Sequence, residues 1–489
     1  MKIKFGLNHE TLKAAVMHIV AVVFTGSMLG LTACTTVPDA RTPVPLAVSS
    51  FTAFVSPSVD GNPRFEEGIQ IDTRWWQAFG SLKLDALIEE ALRTSPTLDA
   101  VEATVQQARH LYAARAGTTR YPQAGVELGG ERKAINGAAM GQPAGENTFN
   151  LFGATAAIEY EFDFFGGNRR ELEALAAQID YQQFQLEGAR LTLVANVIGV
   201  AIDQARLNAQ IDASEQILKA QEEQLELTRR GHELGAVSKI DVLVFQTQAD
   251  QTRAGIHVLH NERDQTSHLL AILAGQPPSV TNIVSFTLTD FCLPSTLPLQ
   301  VPSAWARHRP DIQASEALLQ AASAEVGVAV ANLYPQITLH AQLGSQALSL
   351  DSLFGAGSLI WGLGGQLVQP LFNRGLRAQA RAAEAHYEAA AAHYRETILQ
   401  ALRDVADNLR ALEHHAHALD ARSAAAISAE EALELLLNRY RMGAANYLEV
   451  LTAQQQQQST RMDLFAAQAQ RLTDSLAFYS VMGGGWNQP

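Results

Sequence analysis

Three histidines cluster late in the chain, His414, His415 and His417. On a helix His414 and His417 are i, i+3 neighbours, and two imidazoles on one face can begin a metal site. No third ligand is apparent in the sequence, so solvated histidines are expected, with no metal and no other cofactor. Cys34 and Cys292 are the only cysteines, too few for a disulfide scaffold. Cys292 has no evident role. The Gly-rich stretch 362–365 fits no phosphate loop. No GxSxG, HExxH or CxxC pattern occurs, so nothing here points to an enzyme. Asp311, after Pro310, reads as the start of a helix with proline near its first turn. Gln454–Gln458 reads as the polar face of a helix. The 489 residues carry a formal net charge of −14. Nucleic-acid binding needs clustered Lys and Arg, so that partner is excluded.

The elements that must position such residues begin after residue 33. Lys2, Lys4 and Lys13 precede an apolar stretch, Ala14–Leu31, that ends at small residues. This reads as a signal peptide, residues 1–33. Leu31-Thr32-Ala33-Cys34 resembles the bacterial lipobox, which implies that Cys34 is the lipidated first residue of the mature chain. Thr35 stands where inner-membrane lipoproteins usually carry Asp, which implies outer-membrane sorting. Processing removes a net +2 and leaves −16. Residues 34–70, rich in Pro, Ser, Thr and Val, read as an extended lipidated tether. No later run approaches the roughly 18 apolar residues of a membrane helix. A mature chain that crosses a membrane must then do so with β-strands.

The rest of the chain is a duplication. The first repeat spans 71–274. Leu82, Leu84, Leu87, Ile88, Ala91 and Leu92 form one helical face, and a second helix covers 97–119. A hairpin of strands is expected within 122–163, because Phe152, Ile158, Tyr160 and Phe162 share one parity. A helical hairpin covers 168–273. Its first arm, 168–230, has no Pro, and its length of about 90 Å at 1.5 Å per residue belongs to a coiled-coil-like assembly. A linker, 275–310, leads to the second repeat, 311–481. That repeat has a helix over 311–333, a strand hairpin within 335–372 and a helical hairpin over 375–481. A tail, 482–489, closes the chain. Ile398, Leu402, Val405, Leu409 and Leu412 keep a 4-3 spacing, the seam of packed long helices. Moved back 207 positions, the same seam falls on Leu191, Ala195, Ile198, Ile202 and Ala205.

Two strands per repeat make four per chain. Four strands cannot close a barrel, and lipid forbids open sheet edges. Transmembrane hairpins would therefore need several chains. A pore-less periplasmic scaffold or adaptor is the rival architecture, but it has no use for four amphipathic strands.

The chain resembles the TolC superfamily, and within it the OprM- or NodT-type outer-membrane lipoproteins of resistance-nodulation-division efflux systems. The matching residues include the lipobox, Trp76 and Phe79, Tyr160-Glu161-Phe162-Asp163-Phe164-Phe165-Gly166 and Glu233-Leu234-Gly235. Arg309-Pro310-Asp311-Ile312, Arg439-Tyr440-Arg441-Met442-Gly443 and Met482-Gly483-Gly484-Gly485-Trp486 complete the set. The resemblance implies a mostly α fold with a β-barrel part: a homotrimer with a helical barrel and four transmembrane strands per chain. It implies an exit duct from periplasm to exterior, anchored among outer-membrane lipids, working with a periplasmic adaptor and an inner-membrane pump of the resistance-nodulation-division type. A duct for type I protein secretion is the alternative within the superfamily. The resemblance also implies a gate just after the glycine turns, at Ile240 and Asp241 in one repeat and Leu448 and Glu449 in the other. Tyr440 would help hold the closed tips, and the turns around Gly235 and Gly443 would meet the adaptor. A leucine ring can gate by dewetting, and a carboxylate ring favours cations. The same two acids also suit a helix first turn, where the dipole favours them. Many relatives carry a second acid three residues on; here Thr452 and Val244 stand there.

Overall fold

The computed structural model describes residues 64–67, 71–136, 146–279, 284–299, 305 and 308–485. The signal segment, Cys34, most of the tether, residues 137–145 and the tail residues 486–489 lie outside the described residues. In chain order the elements are β1 (Arg64–Glu67), α1 (Leu82–Thr94), α2 (Pro96–Arg120), β2 (Gln123–Asn136) and β3 (Glu146–Phe162). Then come α3 (Gly167–Glu233), α4 (Lys239–Leu273), β4 (Thr296–Leu299), α5 (Pro310–Ala331), β5 (Gln336–Ala347) and β6 (Leu359–Val368). The long pair α6 (Arg374–Arg441) and α7 (Tyr447–Val481) ends the fold. Contacts divide the chain into two units, and the divisions fall inside α2, α3, α5 and α6.

The first unit contains Tyr112–Leu175 and Gln320–Glu388. Its centre is one antiparallel sheet of order β2-β3-β5-β6. The register gathers the apolar parity onto one face: Ile158 opposite Ala341, Tyr160 opposite Leu339, Leu343 opposite Trp361 and Ile337 opposite Leu367. That face is bare, with Trp361 75% and Leu363 76% exposed. The other face carries Glu127, Glu131, Glu159, Glu161 and His340. Where β3 hands over to α3, Asp163 accepts the free N–H groups of Asn168 (3.1 Å) and Arg169 (2.8 Å), and Gly166 takes φ 75°. Asn373 accepts from Leu376 N at 3.1 Å ahead of α6, so a side-chain oxygen satisfies helix N–H groups at both handovers from strand to helix.

The second unit contains Val44–Leu111, Ala176–Leu319 and Ala389–Pro489. Its core joins Trp75, Phe79, Leu84 and Ile88 to Val197, Ile198 and Ile202, Phe286 and Trp305, and Leu472, Leu476 and Phe478. The heptad seam is in it: Ile398, Val405 and Leu412 are buried, and Leu402 and Leu409 pack against them. Leu82 is not in it. It is 86% exposed, because two helical positions put it about 200° around from Leu84. The Arg309-Pro310-Asp311-Ile312 run is a joint. The Arg309 guanidinium pairs with Asp311 (2.7 Å), donates to Val481 O (3.1 Å) and covers the Trp305 ring, whose Nε1 also donates to Val481 O (2.9 Å). Pro310 opens α5 as expected.

Two sequence expectations change. The stretch 34–70 is not wholly tether: Arg64–Glu67 pairs in parallel with Thr296–Leu299 of the linker. And α3 does contain a window of mean hydropathy 1.2, apolar enough by length and composition to cross a membrane. Val194, Val197, Ile198, Ala201 and Ile202 of the same helix are buried in the helical core.

Candidate functional site at the helical tips

The two long hairpins of the second unit turn in the same way. At the end of α3, Gly235 N donates to His232 O (2.9 Å) and Ala236 N to Gly231 O (2.8 Å), with Gly235 at φ 76°. At the end of α6, Gly443 N donates to Tyr440 O (3.0 Å) and Ala444 N to Arg439 O (2.8 Å), with Gly443 at φ 72°. This is the left-handed helix stop that glycine adopts without strain. Each following helix is then capped. Ser238 accepts from Asp241 N (3.2 Å), and the Asp241 carboxylate accepts from Ser238 N (3.2 Å) and Ser238 Oγ (2.7 Å). Asn446 accepts from Glu449 N (3.0 Å) and donates to the Glu449 carboxylate (3.0 Å). Asp241 and Glu449 thus sit at equivalent positions, three residues past a cap. Both are held by local geometry rather than by long-range packing.

The neighbours of these acids point outward. Ile240 is 72% and Leu448 68% exposed, whereas Val242 and Val450, one residue past the acids, are buried. Phe245, Val242 and Leu225 make the small core beneath the first tip. Thr452 does not replace a missing acid: its hydroxyl donates to Leu448 O at 2.8 Å. No ion pair reaches Asp241 or Glu449 among the described residues. An open groove of roughly 650 Å³ runs beside the second acid, lined by Leu436, Arg439, Leu448, Glu449 and Thr452.

Tyr440 belongs to the same place. Burial, and then the negative charge of Asp241, push its phenol above the usual tyrosine range. The structure thus brings Tyr440 of one hairpin into the field of Asp241 of the other, 199 positions away in sequence. Arg439 donates to Ala444 O (2.9 Å) and stiffens the second turn. The capping residues Ser238 and Asn446 carry as much of this geometry as the acids do, and sequence reasoning passed over them. The signal was there in the Ser-x-x-Asp and Asn-x-x-Glu spacings ahead of each helix.

Higher in the unit, His414 and His417 are exposed as expected of solvated histidines, but His415 is half-buried. His415 Nδ1 lies 2.8 Å from the Asp474 carboxylate. Gln470 donates to that carboxylate (2.9 Å), Asn408 donates to Asp474 O (3.2 Å), and Arg471 donates to Leu412 O (2.7 Å). Asp474 and Arg471 are buried in this polar network. Among the described residues no group of three His, Cys, Asp or Glu could hold a metal.

The comparisons with known proteins agree with one another. The family model described as outer membrane efflux protein matches residues 87–276 and 301–484. The pyoverdine export outer membrane protein OpmQ of Pseudomonas putida is 31% identical over 425 residues, 85% of this chain and 88% of that one. Among solved structures, the outer membrane protein VceC of Vibrio cholerae is 28% identical and superposes with a TM-score of 0.78 over 85% of this chain and all of that one. The outer-membrane channel OprN is 25% identical, with a TM-score of 0.83 over 93% of this chain and all of that one.

Proposed function

Since the chain belongs to the outer membrane efflux protein family and is the outer-membrane channel of a tripartite efflux pump, extending into the periplasm, we propose that three copies build its duct. The observation that carries this reading is the sheet. The outer edges of β2 and β6 pair with no strand among the described residues, and one of its faces is apolar and largely bare. Unpaired backbone N–H and C=O groups are intolerable in hydrocarbon, so each edge needs the complementary edge of a neighbour. Three copies of four strands close a twelve-stranded barrel, the face with Trp361 and Leu363 meets outer-membrane lipid, and the acidic face lines the lumen. The repeats 71–274 and 311–481 each supply one strand hairpin and one helical hairpin to the wall. The chain is a passive duct and catalyses nothing. Small toxic solutes reach it through a periplasmic adaptor docked on the turns around Gly235 and Gly443, fed by an inner-membrane pump of the resistance-nodulation-division type. Cys34 carries the lipid anchor.

In the resting duct the tips close the lumen. Ile240 and Leu448 supply apolar collars that dewet, and Asp241 and Glu449 supply carboxylates that favour cations. With Thr452 committed to a backbone carbonyl, there is one acid per tip rather than two. The capping role of the acids does not exclude the gating one, because Asn or Gln keeps a capping oxygen and removes the charge. Single-channel recordings in bilayers separate the two. Leu448→Ala should raise conductance, and Glu449→Gln should lower cation preference while leaving the turn folded. Unchanged recordings for both would leave the gate assignment without support. Deletion of the gene should raise sensitivity across a broad compound panel.

A further inference from the structure

The apolar face of the sheet does not stop where the strands stop. Residues 348–358 join β5 to β6 and form a loop held by its own hydrogen bonds. Leu353 N donates to Leu350 O (3.3 Å), Gly355 N to Ser352 O (3.0 Å) and Ser358 Oγ to Gly355 O (2.8 Å). Gln346 N donates to Ser358 O (2.8 Å) and ties the loop to the strand end. Ser345 reveals the side of the sheet on which it lies. Side chains alternate along a strand, so Ser345 shares the face of Leu343 and of its partner Leu359. Those two leucines are open, yet Ser345 is only 8% exposed. Its hydroxyl donates to Leu353 O and meets Ser358 Oγ at 2.6 Å, and the Leu353 side chain is itself buried. The loop is folded back over the apolar face. What it turns outward is apolar again: Leu348, Leu350 and Phe354, the last 80% exposed.

We propose that residues 348–358 are a membrane-interface anchor. The loop continues the lipid-facing surface beyond the strands and seats Leu348, Leu350 and Phe354 among the acyl chains at the end of the sheet where its hairpins turn. The exposed Asp351 and Ser352, with the half-buried Ser349 beside them, keep to the headgroup layer, as amphipathic interfacial segments do. The occupant follows from continuity: the loop lies on the face with Leu343 and Trp361, whereas other copies of the chain meet the edges β2 and β6. This rests on the barrel reading above, in which that face meets lipid.

Nitroxide labels test it in the full-length channel reconstituted in lipid bilayers. Phe354→Cys and Leu350→Cys are each made in a Cys292→Ser background, and the background protein sets the unspecific signal. Trp361→Cys reports the apolar sheet face and Gln342→Cys the opposite face. Collision with oxygen, which concentrates in lipid, is compared with collision with a water-soluble nickel chelate. The labels at 354 and 350 should favour oxygen, like that at 361 and unlike that at 342. A chelate preference at 354 and 350, with 361 still favouring oxygen, overturns the anchor and leaves the barrel standing. Strong dipolar broadening between labels at 354 also overturns it, because the loops would then meet one another. A chelate preference at 361 as well removes the barrel reading and the anchor with it.

Discussion

Gly235 and Gly443 are interchangeable in geometry but Gly275 is not like them. At the two tips a Cβ would meet nothing within 4 Å, so Ala there suffers only the left-handed backbone, about 1 kcal/mol. At Gly275 the φ is 69° and a Cβ would stand 2.4 Å from Thr94 O. Hydrogen exchange should therefore show modest local opening for Gly235→Ala and Gly443→Ala, and a much larger, wider loss of protection for Gly275→Ala. Tyr440 carries a second residue-level expectation. Its folded pKa lies above the unfolded one, so the stability it contributes is complete below about pH 10 and is lost as pH rises through the folded value. At neutral pH the phenol is neutral and the tips do not respond to its titration. An ultraviolet phenolate titration should lose a late component in Tyr440→Phe. In Asp241→Asn that component should move to lower pH without reaching the ordinary value, since burial, the larger cause, remains.

At the scale of elements, caps and a buried network decide more than helix composition. Removing the Ser238 side chain deletes one half of a capping box and should destabilise the start of α4 by about 1 kcal/mol, with Asn446→Ala similar at α7. The network at α6 and α7 is a harsher case. Burial drives the Arg471 guanidinium below its ordinary range, and Asp474 followed by Asp420 oppose that. Deleting Asp474 leaves a buried cation without its nearest counter-charge, with a penalty of about 3 kcal/mol. Thermal unfolding followed by circular dichroism should show Asp474→Ala well below Ser238→Ala; equal midpoints would mean that solvent already reaches Arg471.

For the whole molecule the decisive feature is the pair of open edges. Consecutive residues of β6 alternate in aiming their N–H groups at β5 and at the free edge. Proline at either of two adjacent positions, such as Leu363→Pro and Gly364→Pro, therefore breaks either the sheet or the joint between copies. Both should reduce the oligomer recovered by size-exclusion chromatography in detergent, and native mass spectrometry of the parent protein should give three chains per particle. A particle that stays trimeric with both prolines would show that the helices alone hold the assembly.

Helix and strand identities were legible in the residues because both depend on short-range periodicity. The 4-3 seam from Ile398 to Leu412 and the parity from Ile337 to Leu343 needed no partner to be recognised. The turns were legible too, since a left-handed stop calls for glycine and the capping spacing is three residues. Other features depended on residues far apart in sequence. The seating of Arg64–Glu67 beside Thr296–Leu299, the burial of Arg471 and Asp474, and the approach of Tyr440 to Asp241 have no local signature. Leu82 failed for the opposite reason: it had the right chemistry at the wrong angle. The sequence alone determined the long helices and the four strands of the main sheet and, Leu82 apart, which face of each is apolar. Only the tertiary structure decided that β3 pairs with β5, joining the two repeats in one sheet, and that the loop 348–358 lies on the apolar side. Those choices rest on long-range hydrogen bonds, and periodicity within a segment is blind to the partner across the gap.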